Sequence, residues 1–178
     1  MAKILILGLG NPILSDDGIG IEIAHRIEDK LKDHTSCFAW EPDEDIDVIE
    51  ASIGGLAILD LIVGYEKLIV IDAIKTKKGN PGTLYKVKVA DFSSTIHISS
   101  PHDVNFATAI EIGKRCGVSI PEQIDIYAIE IKDNTTFSEQ CTLEVRKAVP
   151  KTVNTIIRQS LNSISTSKLQ NRRFRLKN

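Results

Sequence analysis

Asp17, Asp72 and His102 are the side chains of this sequence whose types and settings point to chemistry. Two carboxylates supply hard oxygen donors, and a neutral imidazole suits zinc, nickel and similar ions, so the trio matches a divalent-metal site. Three protein ligands leave coordination positions open for water or a substrate atom, as catalytic metal centres do. Each residue also has a plainer reading. Asp17 caps a helix, Asp72 ends a strand by binding backbone N–H groups, and His102 follows a proline turn. Spacing alone does not separate the two readings. His97, a short step before His102, is a weaker candidate ligand because the interval favours no single helix face.

The segment that must position Asp17 is Lys3–Gly20, K-I-L-I-L-G-L-G-N-P-I-L-S-D-D-G-I-G. Ile4–Leu7 is an uninterrupted aliphatic run, the pattern of a strand buried on both faces. Gly8 and Gly10 then admit close backbone approach, and Asn11-Pro12 signals a turn. Asp16 and Asp17 stand where Ile19, Ile23, Ala24, Ile27 and Leu31 begin to repeat at helical spacing. This predicts a helix over residues 17–32 with at least one of the two acids as its cap. A strand–glycine–helix opening raises dinucleotide binding, but Ile13 occupies the third glycine position of G-x-G-x-x-G. Two carboxylates at the helix start would repel a pyrophosphate and favour a cation. His25, on the same helix, reads as a surface or packing residue.

Further along, Asp47–Ala51 predicts a short strand, and Gly54-Gly55 opens a helix over Leu56–Val63 that Gly64 stops. Lys67–Ile71 predicts a second buried strand with Asp72 at its C-terminal end. The stretch from Ala73 to Gly82 is too short and turn-rich for a crossover helix, so Thr83–Val89 must lie antiparallel at an edge. Val104–Cys116 reads as a helix, Gln123–Ile131 as a strand, and Thr142–Ser163 as a long helix kinked at Pro150. Residues 33–45, with Trp40, read as a loop or short edge element. The order β-α-β-α-β-β-α-β-α defines a three-layer α/β/α fold. Its sheet is mostly parallel and twisted, of about five strands, with one antiparallel edge strand. In such folds the functional crevice lies beyond the C-terminal strand ends, at the switch in strand order. Asp17, Asp72 and His102 all fall where they would meet in one solvent-open cleft there.

Composition narrows the classes. Apolar residues make up 42% and charged residues 26%, with a net charge of −2, so no basic field favours nucleic acid. No apolar run reaches the length of a membrane span, and the N-terminus lacks the features of a signal peptide, which predicts a cytoplasmic protein without membrane insertion. Cys37, Cys116 and Cys141 are odd in number and widely spaced, which predicts buried thiols. One domain is expected over residues 1–165. Residues 166–178 carry Lys168, Arg172, Arg173, Arg175 and Lys177 without an acid and read as a flexible basic tail.

Three segments taken together resemble the [NiFe]-hydrogenase maturation endopeptidases: G-L-G-N-P-I-L-S-D-D-G-I-G at Gly8–Gly20, V-I-D-A-I at Val70–Ile74 and S-P-H at Ser100–His102. The K-x-K-K-G-x-P-G-T segment at Lys75–Thr83 is similar to the family as well. The resemblance implies a twisted α/β sheet with helices on both sides. It also implies one endoproteolytic cut, removing a C-terminal extension from the precursor of the hydrogenase large subunit after nickel insertion. The family's metal-binding positions fall on Asp17, Asp72 and His102; the first is Glu in some relatives. Asp16 is then a helix cap or a support for the ligands.

Three accounts of the cut stay open. The trio binds nickel already carried by the substrate; or it holds its own divalent ion, which activates water; or an Asp serves as general base, as in aspartic peptidases. Two readings from other classes compete. One is a non-catalytic metal-binding or nickel-delivery module on the same site. The other is a receiver-like phosphoacceptor domain using Asp16/Asp17, Asp72 and Lys132, although nine or so residues separate the first strand from the acidic pair and His102 is left without a role.

Overall fold

The computed structural model describes residues 3–33, 45–53, 55–89 and 103–161. His97, His102, Cys37, Trp40 and the basic tail lie outside the described residues, as does most of the loop expected before the second strand.

Five strands form one sheet: β1 Lys3–Leu9, β2 Asp45–Ala51, β3 Lys67–Ile74, β4 Leu84–Val87 and β5 Gln123–Glu130. Their spatial order is β2-β1-β3-β5-β4. All neighbours run parallel except β4, which pairs antiparallel with β5 at the edge, as the short connection after Asp72 requires. The helices are α1 Ile19–Lys32, α2 Ile58–Ile62, α3 Asp103–Arg115 and α4 Leu143–Ile156.

Alternation along the strands builds two apolar layers. Ile4 and Ile6 of β1, with Ile69, Ile71 and Ala73 of β3, pack against Ile19, Ile23 and Ile27 of α1 and Val145, Val149 and Val153 of α4. Leu5, Leu7 and Leu9, with Leu68 and Val70, pack instead against Ile58 and Ile62 of α2 and Phe106 and Ile110 of α3. Both central strands are covered on both faces, which is why they read as continuous aliphatic runs.

Four local expectations need correction. The chain enters α1 through a 3-10 turn, Ser15–Gly18, and the N-cap position falls to Gly18, with no side-chain cap bond. The second helix is shorter than predicted, because its first turn, Gly55–Ala57, is also 3-10. β3 continues past Asp72 to Ile74, because Ala73 and Ile74 still pair with Ile129 and Glu130 of β5. The last helix passes through Pro150 without stopping, but its regular part ends at Ile156 and gives way to a π-turn, Ile157–Leu161.

That π-turn closes a polar cluster at the N-terminal edge of the sheet. Lys67, only 7% exposed, donates from Nζ to the Ser160 carbonyl (2.7 Å). Asp125 accepts from Ser160 Oγ (2.8 Å) and pairs with Lys86 (2.8 Å) and, more loosely, Lys67 (3.4 Å). A lysine in a strand with no exposed residue survives only because its ammonium finds these oxygens.

Candidate active site

Strand order reverses at β1: the chain goes to β2 on one side and then to β3 on the other. The crevice of such a sheet opens at the C-terminal ends of these two strands. Close packing of backbone there is achieved with glycine. Gly10 adopts φ +140, and a Cβ on it would run into the carbonyl of Asp17. A Cβ on Gly20 would collide with the carbonyls of both Leu9 and Ile71, so the first turn of α1 rests directly on the ends of β1 and β3. A Cβ on Gly8 would meet the Gly20 carbonyl at 2.7 Å from the other side.

This packing seats Asp17. Its backbone N–H donates to the Leu14 carbonyl (3.0 Å), and its Oδ2 accepts the Asn11 N–H (2.9 Å). The carboxylate is therefore turned back over the loop instead of capping α1, and no described residue bonds its other oxygen. Asp72 follows Ile71, the last residue of β3 paired with β1, and so stands just past the β1/β3 ladder at the switch. It shares strand parity with Leu68 and Val70, on the face covered by α2 and α3. Its Oδ1 accepts the Ala73 N–H (2.7 Å). Both acids are nearly closed to solvent, Asp17 at 7% and Asp72 at 1% exposure, where the sequence reading expects an open cleft.

The structure thus brings Asp17 and Asp72 to one sheet edge, on either side of the switch. His102 immediately precedes α3, the helix covering the Asp72 face, but lies outside the described residues. Among the described residues no cluster of three or more His, Cys, Asp or Glu side chains forms a metal-like group.

Asp16 carries more structure than the sequence reveals. Completely buried, its carboxylate accepts the N–H groups of Lys132 (3.0 Å), Asp133 (3.0 Å) and Thr142 (2.6 Å) and the Thr142 hydroxyl (3.0 Å). It caps nothing on α1. Lys132 turns its ammonium to Glu144 (2.7 Å). The segment holding Asp16 is itself braced: the Thr135 and Thr136 donors hold the Asp133 carboxyl well below the usual carboxylate range.

Next to this clamp, Cys141 points its thiol at the Ser15 carbonyl and Glu22, both 3.7 Å away. Burial, with the charges of Glu22 and Asp16 adding to it, pushes the thiol up to about 12. A thiol so protonated is a poor nucleophile. Alkylation of the native protein at pH 8 should therefore modify the exposed Cys116 and leave Cys141 about a thousandfold slower than an ordinary thiol. Peptide mass mapping after a timed pulse of iodoacetamide reads this directly, and equal labelling of the two cysteines would contradict it.

A mostly parallel five-stranded sheet with helices on both faces and two buried acids near its switch point is an α/β fold of the doubly wound kind. Residues 26–159 match the HycI family of hydrogenase maturation proteases, and the chain belongs to that family. Over 133 residues it is 26% identical to the hydrogenase 2 maturation protease of Escherichia coli K12, spanning 71% of this chain and 72% of that protein. It is 25% identical over 169 residues to the coenzyme F420 hydrogenase subunit delta of Methanothermobacter thermautotrophicus, spanning 94% and 98% of the two chains. The structure of the E. coli hydrogenase maturating endopeptidase HybD superposes with a TM-score of 0.68 at 23% identity, covering 89% of this chain and 94% of that one. The protein is accordingly a protease of hydrogenase maturation. No helix among the described residues is long and apolar enough to cross a membrane.

Proposed function

We propose that this protein is the endopeptidase that removes the C-terminal extension from a [NiFe]-hydrogenase large-subunit precursor after nickel insertion, with Asp17, Asp72 and His102 as its metal-recognising site. The observation behind this reading is the seating of Asp17 and Asp72 across the β1/β3 switch in a chain of this protease family. The donor chemistry fits. Two hard carboxylates at one edge, joined by the imidazole of the residue preceding α3 in sequence, would suit nickel or a similar divalent ion. Asp17 has committed only Oδ2 to the chain's own backbone among the described residues, so its other oxygen is the one offered to a ligand.

Nickel here is part of the substrate, presented by the loaded precursor, or is held by the three side chains themselves. A divalent ion in such a site polarises a carbonyl and lowers the pKa of water. The chain's own contribution is to orient Asp17 and Asp72 in a nearly dry setting, where carboxylate interactions are strong, and to offer a carboxylate as general base. No serine or cysteine takes a nucleophile's place in this reading, and the high pKa of Cys141 agrees with that.

Incubation with nickel-loaded and nickel-free precursor, followed by intact mass, tests the proposal. A single defined loss from the precursor C-terminus in the loaded sample alone is expected. Equal cutting of both samples would remove nickel recognition. Cutting of neither, with metal still bound, would leave a metal-binding module in place of a protease.

A further inference from the structure

We infer that Asp16 is a positioning residue for the proteolytic site, setting where Asp17 stands relative to Asp72 by locking the first loop onto the end of β5. The inference rests on the site proposed above and extends it to a residue that makes no contact with substrate.

Asp16 is completely buried and already receives four donors from its own chain. A carboxylate offers about four lone-pair positions, and here Lys132 N–H, Asp133 N–H and Thr142 Oγ1 lie on Oδ2 while Thr142 N–H lies on Oδ1. Bonds of this kind, to an ionised acceptor shielded from water, are strong and directional. The backbone around it adds further stitches to the same segment. Ser15 N–H donates to the Ser138 carbonyl (2.8 Å), Asp16 N–H to the Asp133 carbonyl (3.0 Å) and Ser138 N–H to the Ile13 carbonyl (3.0 Å). Between these anchors Ser15 is held at φ +49, a left-handed conformation that serine adopts only when its surroundings impose it.

The consequence lies in what the segment hangs from. Residues 132–142 come directly after β5, and Ile131 N–H donates to the Ile74 carbonyl (2.8 Å). β5 in turn pairs with β3 through Asp72, opposite Ala128. The frame that receives Asp16 is therefore the frame that carries Asp72. Asp17 is covalently next to Asp16, so the two acids of the site are referred to one strand through Asp16. Without that lock, the bonds left to Asp17 among the described residues, from the Asn11 amide to its carboxylate and from its own N–H to the Leu14 carbonyl, both lie within its own loop.

The test is Asp16→Asn beside Asp125→Asn, a half-buried acid of the polar cluster at the opposite sheet edge. An Asn at position 16 puts an NH2 donor among backbone N–H groups that cannot turn away. With nickel-loaded precursor, Asp16→Asn is expected to lower kcat about tenfold to a hundredfold, the range that small misplacement costs. Its KM should stay within roughly threefold, since the surface that binds precursor is untouched. Hydrogen exchange should quicken in the peptide spanning residues 13–18. Asp125→Asn should lower Tm with kcat and that peptide unchanged. Wild-type kcat in Asp16→Asn, or a parallel loss of kcat in Asp125→Asn, would overturn the inference. Should Asp16→Asn not fold, Thr142→Val, which removes only the hydroxyl donor, carries the test: a several-fold lower kcat supports the lock and an unchanged one refutes it. Asp17→Asn separates the two levels. If it cleaves normally, the proposed site is wrong; if it is inactive while folded Asp16→Asn is fully active, only the positioning role is wrong.

Discussion

His102→Ala is expected to cut removal of the precursor's C-terminal extension by orders of magnitude while leaving the protein folded. In the proposed site the loss is large because imidazole brings a directional nitrogen donor that neither Asp17 nor Asp72 can supply, and two acids alone would hold nickel loosely and in the wrong geometry. The fold should persist because both apolar layers are built on aliphatic side chains of the central strands: Ile4, Ile6, Ile69 and Ile71 on one face, Leu5, Leu7, Leu68 and Val70 on the other. Substitutions away from packed or capped positions shift stability by about 0.5 kcal/mol or less. Processing of nickel-loaded precursor by purified variants, with circular dichroism and thermal melts as fold controls, gives the answer. His97→Ala is the matched control and should process normally. Wild-type cleavage by folded His102→Ala would remove both the imidazole ligand and the metal-dependent reading.

The architecture is legible in the sequence because its strongest signals are the ones tertiary structure cannot override. Ile4–Leu7 and Leu68–Ile71 are apolar on both faces, so they have nowhere to go but the centre of a covered parallel sheet. The short run between Asp72 and Thr83 leaves no room for a crossover, so the antiparallel edge strand results from chain length alone. Asp17 is legible as a candidate because glycine, turn and helix signals converge on it, even though the cap it seems to form does not exist. A helix cap is inferred from the residues C-terminal to an acid, whereas the bond Asp17 makes is to Asn11, on its N-terminal side.

Asp16 is not legible, and the reason is distance along the chain. Its donors, Lys132, Asp133 and Thr142, lie more than a hundred residues away and form no pattern with it. Two adjacent aspartates look equivalent until the fold turns one to the loop and buries the other under β5's extension. Lys67 escapes for the same reason. It opens an aliphatic strand as if it were a solvated end, yet its partner is a carbonyl of the π-turn after α4. Glu130 also looks like the polar end of a strand. It is in fact buried, and its carboxylate receives the Thr76 N–H (2.7 Å) and hydroxyl (3.0 Å), folding the lysine-rich loop back onto β5. Each of these polar groups is placed by a bond that only the finished topology creates, and β5 supplies the frame for the loops after both site strands.

Gly20→Ala is expected to destabilise the protein strongly, the opposite of what helix propensity predicts. In an open helix the exchange would be worth about 0.5–1 kcal/mol in favour of alanine. Here the added methyl points at two backbone carbonyls, Leu9 and Ile71, neither of which can swing aside as a side chain would. Relief requires α1 to lift from the ends of β1 and β3 together, opening the layer in which Ile19 and Ile23 pack on Ile4 and Ile71. Overpacking of this kind costs about 3 kcal/mol at the upper end of its usual range, and for a chain of this size that corresponds to a fall in Tm of about 6–12 °C. Gly113→Ala on α3 is the contrast. Its methyl would meet only side-chain ends, Ile120 Cδ1 and Leu59 Cδ2 at 2.9 Å, which can rotate, so its Tm should move little. Lifting α1 also carries Asp17 away from the Asp72 edge, so the folded fraction of Gly20→Ala should process precursor far more slowly than Gly113→Ala at equal folded concentration. Thermal melts of the two variants side by side decide it: a Gly20→Ala protein melting at or above the wild type would show that α1 does not rest on these strand ends as the backbone packing requires.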